Sequence, residues 1–303
     1  MKNLDHAVTR WSLTDVKPVY EHSTKAVYTA VSALYGPVIL KIDLNHAQLA
    51  SEYRMLSAMQ GKHCCQIYDF DEEQGLLLEE RILPGNVLRE LEHLEERIDA
   101  FCHVFAALHS SDTVSVSHDT GPGLATAAAD GTTTPAGPES NTASHHPSYL
   151  DWLTRIRTFS ETHPIDGRLR EMTGQAYDFC AYLFEKYPEH VLLHGDLHHD
   201  NMLLRTDGSY AMIDPKGVIG PAILDLPRFL LNELFPNMPA EPISHMEKAI
   251  RMISKKCGYP AEDVQKAFFM ETVLANMWSV QDDDPADWKE LEVASRTLPS
   301  TSY

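Results

Sequence analysis

The sequence predicts an α+β fold, with a small antiparallel β-sheet and one helix first and a larger, mainly helical part after it. Three observations lead there. Short β-rich runs crowd residues 16–80. A Pro84-Gly85 step ends that character. Beyond it, apolar residues recur at helical spacing, as in Leu88, Leu91 and Leu94, then Ile98, Phe101, Phe105 and Leu108.

In order, residues 16–20 and 26–31 read as strands on either side of Glu21-His22-Ser23-Thr24-Lys25. A Tyr35-Gly36-Pro37 turn leads to a strand over 38–42, and Asn45 can cap a helix over 47–60. Strands 66–70 and 76–80 flank the turn-rich 71–75. Residues 111–148 hold no Lys, Arg or aromatic side chain and bury too little to offset their ordering, so they read as a flexible surface insertion. Helices resume near Ser148 and run to Tyr187; a strand-rich centre occupies 191–214, and further helices are expected around 222–234, 242–257, 260–279 and 285–298. The division expected is 1–83 and 84–303.

Composition narrows the function. The chain of 303 residues carries 25 Lys and Arg against 44 Asp and Glu, a net charge of −19. Neither nucleic acid nor an anionic membrane is an expected partner, because both need a basic face. Five cysteines without C-x-x-C spacing argue against a disulfide framework or a zinc ribbon. The charged first residues lack a signal peptide's apolar core, so a reducing, cytoplasmic location is the expectation. The acid is uneven: residues 1–83 carry a net −3 and residues 84–303 a net −16. Such a surface attracts cationic molecules.

The chemistry concentrates in His194-Gly-Asp196-Leu-His198-His199-Asp200-Asn201, which precedes Asp207-Gly208 and Asp214-Pro-Lys216-Gly217. Asp207-Gly208 is a strong two-residue hairpin signal, and folding about it sets Asn201 opposite Asp214, with Asp196 just before. Two carboxylates and an amide oxygen converging there suit Mg²⁺ holding phosphate oxygens. His194-x-Asp196-x-x-x-x-Asn201 has the spacing of a kinase catalytic loop, and Asp214-x-x-Gly217 stands where a metal-binding Asp-Phe-Gly would be. Lys41 ends a run of the form Val-Ile-Leu-Lys. Eleven residues on, Glu52 falls on the apolar stripe of its helix. A glutamate buried there asks for a cation, and Lys41 is the natural partner.

Together these stretches resemble the aminoglycoside phosphotransferase group of kinase-like enzymes, and the Asp-Pro-Lys-Gly ending is most similar to the branch that phosphorylates streptomycin and hydroxyurea. The resemblance covers residues 16–290 apart from the insertion. It implies a two-lobed protein-kinase-like fold and transfer of a γ-phosphoryl group from ATP, or GTP, with Mg²⁺, to a hydroxyl of a small, cationic molecule. It implies Asp196 as catalytic base, Asn201 and Asp214 as metal ligands, Lys41 on the phosphates and Glu52 positioning it. It further implies backbone contacts to adenine from Glu79 and Arg81, and Asp225 bracing the catalytic loop. Read on its own, His194 structures its loop rather than reacts. The loop at 21–25 departs from the family in having no glycine, so Ser23 and Thr24 are expected at the phosphates. Lys216 replaces the aromatic residue of Asp-Phe-Gly. Trp278 and the carboxylates Asp282, Asp283 and Asp284 are expected near the acceptor.

Other readings remain at this level. The histidine-dense 194–200 also fits a binuclear metallohydrolase, although no Asp-x-His precedes residue 191. A non-catalytic kinase-like binding module and a metabolic kinase for an amino alcohol or sugar are the others. His145 and His146, in the insertion, read as solvated.

Overall fold

A computed structural model describes residues 2–59, 61–110 and 146–299. The chain opens with helix α1 (Lys2–Trp11), followed by β1 (Leu13–Glu21), β2 (Lys25–Ser32) and β3 (Gly36–Asp43). Helix α2 (His46–Met59), β4 (Ile67–Asp71) and β5 (Leu76–Glu80) complete an antiparallel sheet of order β1-β2-β3-β5-β4. Alternation along these strands buries one set of side chains: Tyr28 and Ala30 of β2, Val38 and Leu40 of β3, and Leu76 and Leu78 of β5 form a small core with Ala7 and Trp11 of α1. Helix α1 was not expected. Its first residues look charged in one dimension, yet they carry an apolar stripe that covers the sheet.

Helix α2 turns Met55, Leu56 and Met59 into the larger core instead. That core holds α3 (Leu94–Leu108), α4 (Tyr149–Thr162), α5 (Gly167–Lys186), α6 (Pro227–Asn232), α7 (Pro242–Cys257), α8 (Ala261–Gln281) and α9 (Trp288–Arg296). Short strands lie between the helices: β6 (Pro84–Val87), β7 (His190–Leu193), β8 (Met202–Arg205), β9 (Tyr210–Met212) and β10 (Val218–Pro221). They form a β6-β8-β9 sheet and a β7-β10 pair. The small sheet is tied to this part by Arg205, whose guanidinium donates to both oxygens of Glu80 at 2.6 and 2.9 Å.

Most of the 111–148 stretch lies outside the described residues. Its last residues do not behave as an insertion. Ser148 caps α4 in a capping box with Asp151, and Pro147 accepts a hydrogen bond from the Ile219 amide at 2.8 Å. His146 is half-buried rather than solvated.

Candidate active site

Strand alternation aims Lys41 of β3 into the space under the sheet, and the second turn of α2 brings Glu52 to it. Among the described residues, three carboxylates meet the ammonium: Glu52, Asp214 and Glu79, the last at 2.9 Å. Lys41, Glu52 and Glu79 are almost wholly buried. Burial disfavours the charge on Lys41, but Asp214, Glu52 and Glu79 outweigh it and hold the ammonium pKa well above its ordinary value. Burial pushes Glu52 up to about 7 and raises Glu79 too, against the pull of Lys41. Asp214 is also desolvated, yet Lys41 keeps its carboxyl well below the usual range. One cation thus serves three acids.

Below this cluster, β7 runs into the 194–201 loop. The Asp225 carboxylate, 1% exposed, accepts from the His194 amide at 2.9 Å and the Gly195 amide at 2.7 Å. His109 Nε2 also reaches it, at 3.0 Å. Gly195 has φ +73° there, and a Cβ would stand 2.7 Å from Val218 Cγ1, so both backbone and space require glycine. The His194 ring sits between an acceptor and a donor. Its Nε2 donates to Ile213 O at 2.9 Å, and its Nδ1 accepts from the Asp196 amide at 3.2 Å. Burial lowers its pKa, so the neutral ring is a loop strut rather than a proton carrier.

Asp196 projects from this frame toward Arg228 Nε at 3.4 Å, Lys216 Nζ at 3.5 Å and His198 Nε2 at 3.7 Å. Desolvation opposes its charge, but Arg228 first and then Lys216 hold its pKa below the ordinary value. It is a carboxylate at neutral pH. Asn201 donates from Nδ2 to the Asp196 carbonyl at 2.9 Å.

The hairpin register differs by one residue from the expected one. Met202 faces Met212 and Leu204 faces Tyr210, and Asn201 O accepts from Ile213 N, so Asn201 stands opposite Ile213. The cause is the turn. Arg205 N bonds Ser209 O, which leaves a three-residue loop with Gly208 at φ +85°, not a two-residue one. Asp214 still enters the site because it lies past the end of β9 with φ +58°, which re-aims its side chain at Lys41.

A cleft of ≈ 670 Å³ opens over these groups, within the size range of small-ligand sites. Val27 and Ile39 on one side and Leu203 and Ile213 on the other make apolar walls, with Lys41 and Asp214 at the polar end. Two expectations need correction. Ser23 and Thr24 line a different cavity, against α1; Lys25 borders that cavity and also lines the cleft, on the same face of β2 as Val27 and Thr29. Glu79 contributes its side chain, while its backbone is paired in the sheet with Ile39 and Ile67. The Arg81 amide is spent on Pro37 O at 3.4 Å, and proline has no N–H with which to return the bond to the Arg81 carbonyl.

Residues 16–243 match the sequence pattern of the APH phosphotransferase enzyme family, three quarters of the chain. The chain belongs to that family. Streptomycin 3''-kinase of Klebsiella pneumoniae is 28% identical over 94 residues, a match that spans 30% of this chain and only 35% of that kinase. The fold is that of choline kinase LicA from Streptococcus pneumoniae, with a TM-score of 0.65 at 13% identity, over 100% of this chain and 99% of that one. Aminoglycoside phosphotransferase APH(4)-Ia, solved with AMP-PNP and hygromycin B, gives a TM-score of 0.63 at 15% identity, over 97% and 95% of the two chains. The expected kinase-like α+β fold is therefore the one observed.

On the far side of Asp196, the chain holds a second group of buried polar side chains. Arg228 bridges Asp196 and Glu271, lying 2.6 Å from the latter, and packs over Trp278 with its guanidinium 5.5 Å from the ring centre. Tyr149 donates to Glu271, and Trp152 meets Trp278 edge-on. Arg228 was missed in the sequence; its signal was a lone arginine in the apolar run Leu226-Pro-Arg-Phe-Leu-Leu. Next to it lies a cavity of ≈ 360 Å³ that Arg228, Asn276, Ser279, Asp287 and Glu290 help to line. Asp282, Asp283 and Asp284 do not line it. They form the exposed turn that ends α8, where Asp282 N and Asp284 N both bond Ser279 O.

The other two histidines of the 194–201 loop have structural partners. His199 Nε2 bonds Glu233 Oε1 at 2.7 Å and stacks on Phe229, and Glu233 also takes Arg97 at 2.8 and 2.7 Å and His245 at 3.1 Å. His198 is desolvated to a pKa of about 4. Among the described residues, the acids close enough together to hold a metal ion are Glu52, Glu79 and Asp214, with no histidine among them. A binuclear histidine site has no support here. No helix among the described residues is long and apolar enough to cross a membrane.

Proposed function

We propose that this phosphotransferase moves the γ-phosphoryl group of ATP to a hydroxyl of a small cationic molecule, of the aminoglycoside kind represented by streptomycin, or to hydroxyurea. The observation that carries the proposal is the meeting of Lys41, Glu52 and Asp214 at the polar end of an apolar-walled cleft, with ionised Asp196 beside it. The purine would lie between Val27, Ile39, Leu203 and Ile213, with the Arg81 carbonyl at its edge. Lys41 and Lys25 would meet the phosphates, and Glu52 would hold Lys41 when a ligand draws Asp214 away. Lys25 supplies charge where the glycine-free loop cannot supply backbone amides.

Asp214 and Asn201 suit a hard cation. Asn201 spends its Nδ2 on Asp196 O, which fixes Oδ1 as the free end, and Asp214 offers a carboxylate of depressed pKa. Mg²⁺ bound there would withdraw charge from the phosphate oxygens. The protein's own steps are these. Asp196 accepts a hydrogen bond from the acceptor hydroxyl and aims its oxygen at the γ-phosphorus. The new P–O bond forms as the bond to the β–γ bridging oxygen breaks, and the hydroxyl proton passes to the Asp196 carboxylate. Its low pKa makes Asp196 a weak base, suited to a late proton transfer. Arg228 and Lys216 keep it ionised.

The acidic balance of residues 84–303 and the Asp287 and Glu290 carboxylates in the cavity beside Arg228 favour a cationic acceptor. The test is nucleotide consumption with Mg²⁺ across streptomycin, other aminoglycosides, hydroxyurea, choline and homoserine. Turnover with an aminoglycoside or hydroxyurea is expected. Turnover with choline or homoserine alone would instead assign a metabolic kinase.

A further inference from the structure

Cys102, in the middle of α3, and Cys257, the last residue of α7, place their sulfurs 3.5 Å apart although 155 positions separate them in the chain. Both line a second cleft, of ≈ 560 Å³, which shares no lining residue with the first, together with His109, Lys186, Lys256 and Tyr259. The cleft makes Cys257 reachable, and Gly258, left-handed at φ +77°, ends α7 immediately behind it. The other three cysteines, Cys64, Cys65 and Cys180, are 0% exposed. We propose that Cys102 and Cys257 form a dithiol that a low-molecular-weight disulfide entering this cleft converts to an internal disulfide.

The exchange runs in two steps. The Cys257 thiolate attacks one sulfur of the incoming disulfide, whose S–S bond breaks and releases one thiolate. The Cys102 thiol then loses its proton to solvent and attacks Cys257 of the mixed disulfide, expelling the second thiolate. Both protein thiols are oxidised and the small disulfide is reduced to two thiols. Cys257 is the attacking sulfur because the Cys102 hydrogen bond and then Lys256 lower its pKa, while the same contact and burial raise that of Cys102. Bonding requires the sulfurs to close from 3.5 Å to about 2.05 Å, a shift the end of a helix can make. The bond would enclose Asp196, Asn201 and Asp214 in one loop. His109, in the same cleft wall, bonds the Asp225 brace of the catalytic loop.

The test uses oxidised glutathione on the reduced full chain, followed by acid quenching, thiol counting in denaturant and peptide mass spectrometry. The parent should fall from five free thiols to three, carry no glutathione, show a Cys102–Cys257 linked peptide and recover all five with dithiothreitol. Cys102→Ser should stop with glutathione held on Cys257, and Cys257→Ser should keep all its thiols. Five thiols remaining in the parent, a lasting adduct on Cys257, a Cys64–Cys65 bond or a link between two chains would each overturn the proposal.

Discussion

Two buried charge clusters in this protein are built on opposite plans. Around Glu233, one carboxylate is shared by Arg97, His199 and His245, and this surplus of donors holds its pKa far below the ordinary value despite burial. Around Lys41, one ammonium is shared by Glu52, Glu79 and Asp214, and the surplus is acid. The first cluster is complete and braces α3, the 194–201 loop and α7. The second is unbalanced and faces the cleft. Local violations of electrostatic balance concentrate where a ligand is meant to arrive, and here the missing positive charge is what a divalent metal ion arriving with a nucleotide would bring.

Breaking the second cluster should cost activity. Lys41→Met removes the cation aimed at the phosphates and should lower kcat/KM by about 10²–10³-fold in a coupled nucleotide assay. An unchanged value would make the cluster structural. Breaking the first should cost stability. Glu233→Ala leaves Arg97 buried without its partner and should lower unfolding free energy by about 3–5 kcal/mol in urea titrations, with nucleotide KM of the folded fraction little changed.

Acidity should separate the clusters by sign. Glu233 is depressed when folded, so its stabilisation is full above the ordinary glutamate range and is lost as pH falls below it. Glu52 is raised to about 7, so its contribution is full below that same range and is lost as pH rises through about 7. In thermal melts without nucleotide, the deficit of Glu233→Gln should therefore shrink in acid, whereas Glu52→Gln should gain on the parent as pH rises toward 8. Parallel pH profiles for the two variants would contradict the contrast. The smallest effects concern the β1–β2 loop. Lys25→Ala should raise nucleotide KM several-fold, and Ser23→Ala and Thr24→Ala should leave it unchanged; the reverse pattern in steady-state kinetics would restore the sequence's first expectation.

Much of this was legible in the chain because it rests on short-range pattern. Short β-rich runs between turn signals pointed to the sheet, and a glutamate on the apolar stripe of α2 announced the Lys41 pair. Asp225 was expected from the family resemblance and His194 was read as a loop-structuring residue; Asp225 accepts from the His194 and Gly195 amides, and the His194 ring bonds Ile213 O and the Asp196 amide. What failed depended on one backbone angle or on distant packing. A three-residue turn at Gly208 slipped the hairpin register by one, and the left-handed backbone of Asp214 compensated. Glu79 entered the site by side chain rather than backbone because its strand lies inside the sheet. The meetings of Arg228 with Glu271 and of Cys102 with Cys257 join segments far apart in sequence, and no local pattern encodes them.

The central claim is that Asp196 delivers an acceptor hydroxyl to a nucleotide held by the Lys41 cluster. The most direct measurement compares Asp196→Asn with the parent, using the acceptor identified by the screen, following phosphorylated acceptor by mass spectrometry and nucleotide affinity by calorimetry. The account predicts a kcat lower by about 10²–10⁴-fold with nucleotide affinity within about twofold of the parent. Near-parental turnover by Asp196→Asn, with phosphate still appearing on the acceptor hydroxyl, would contradict it.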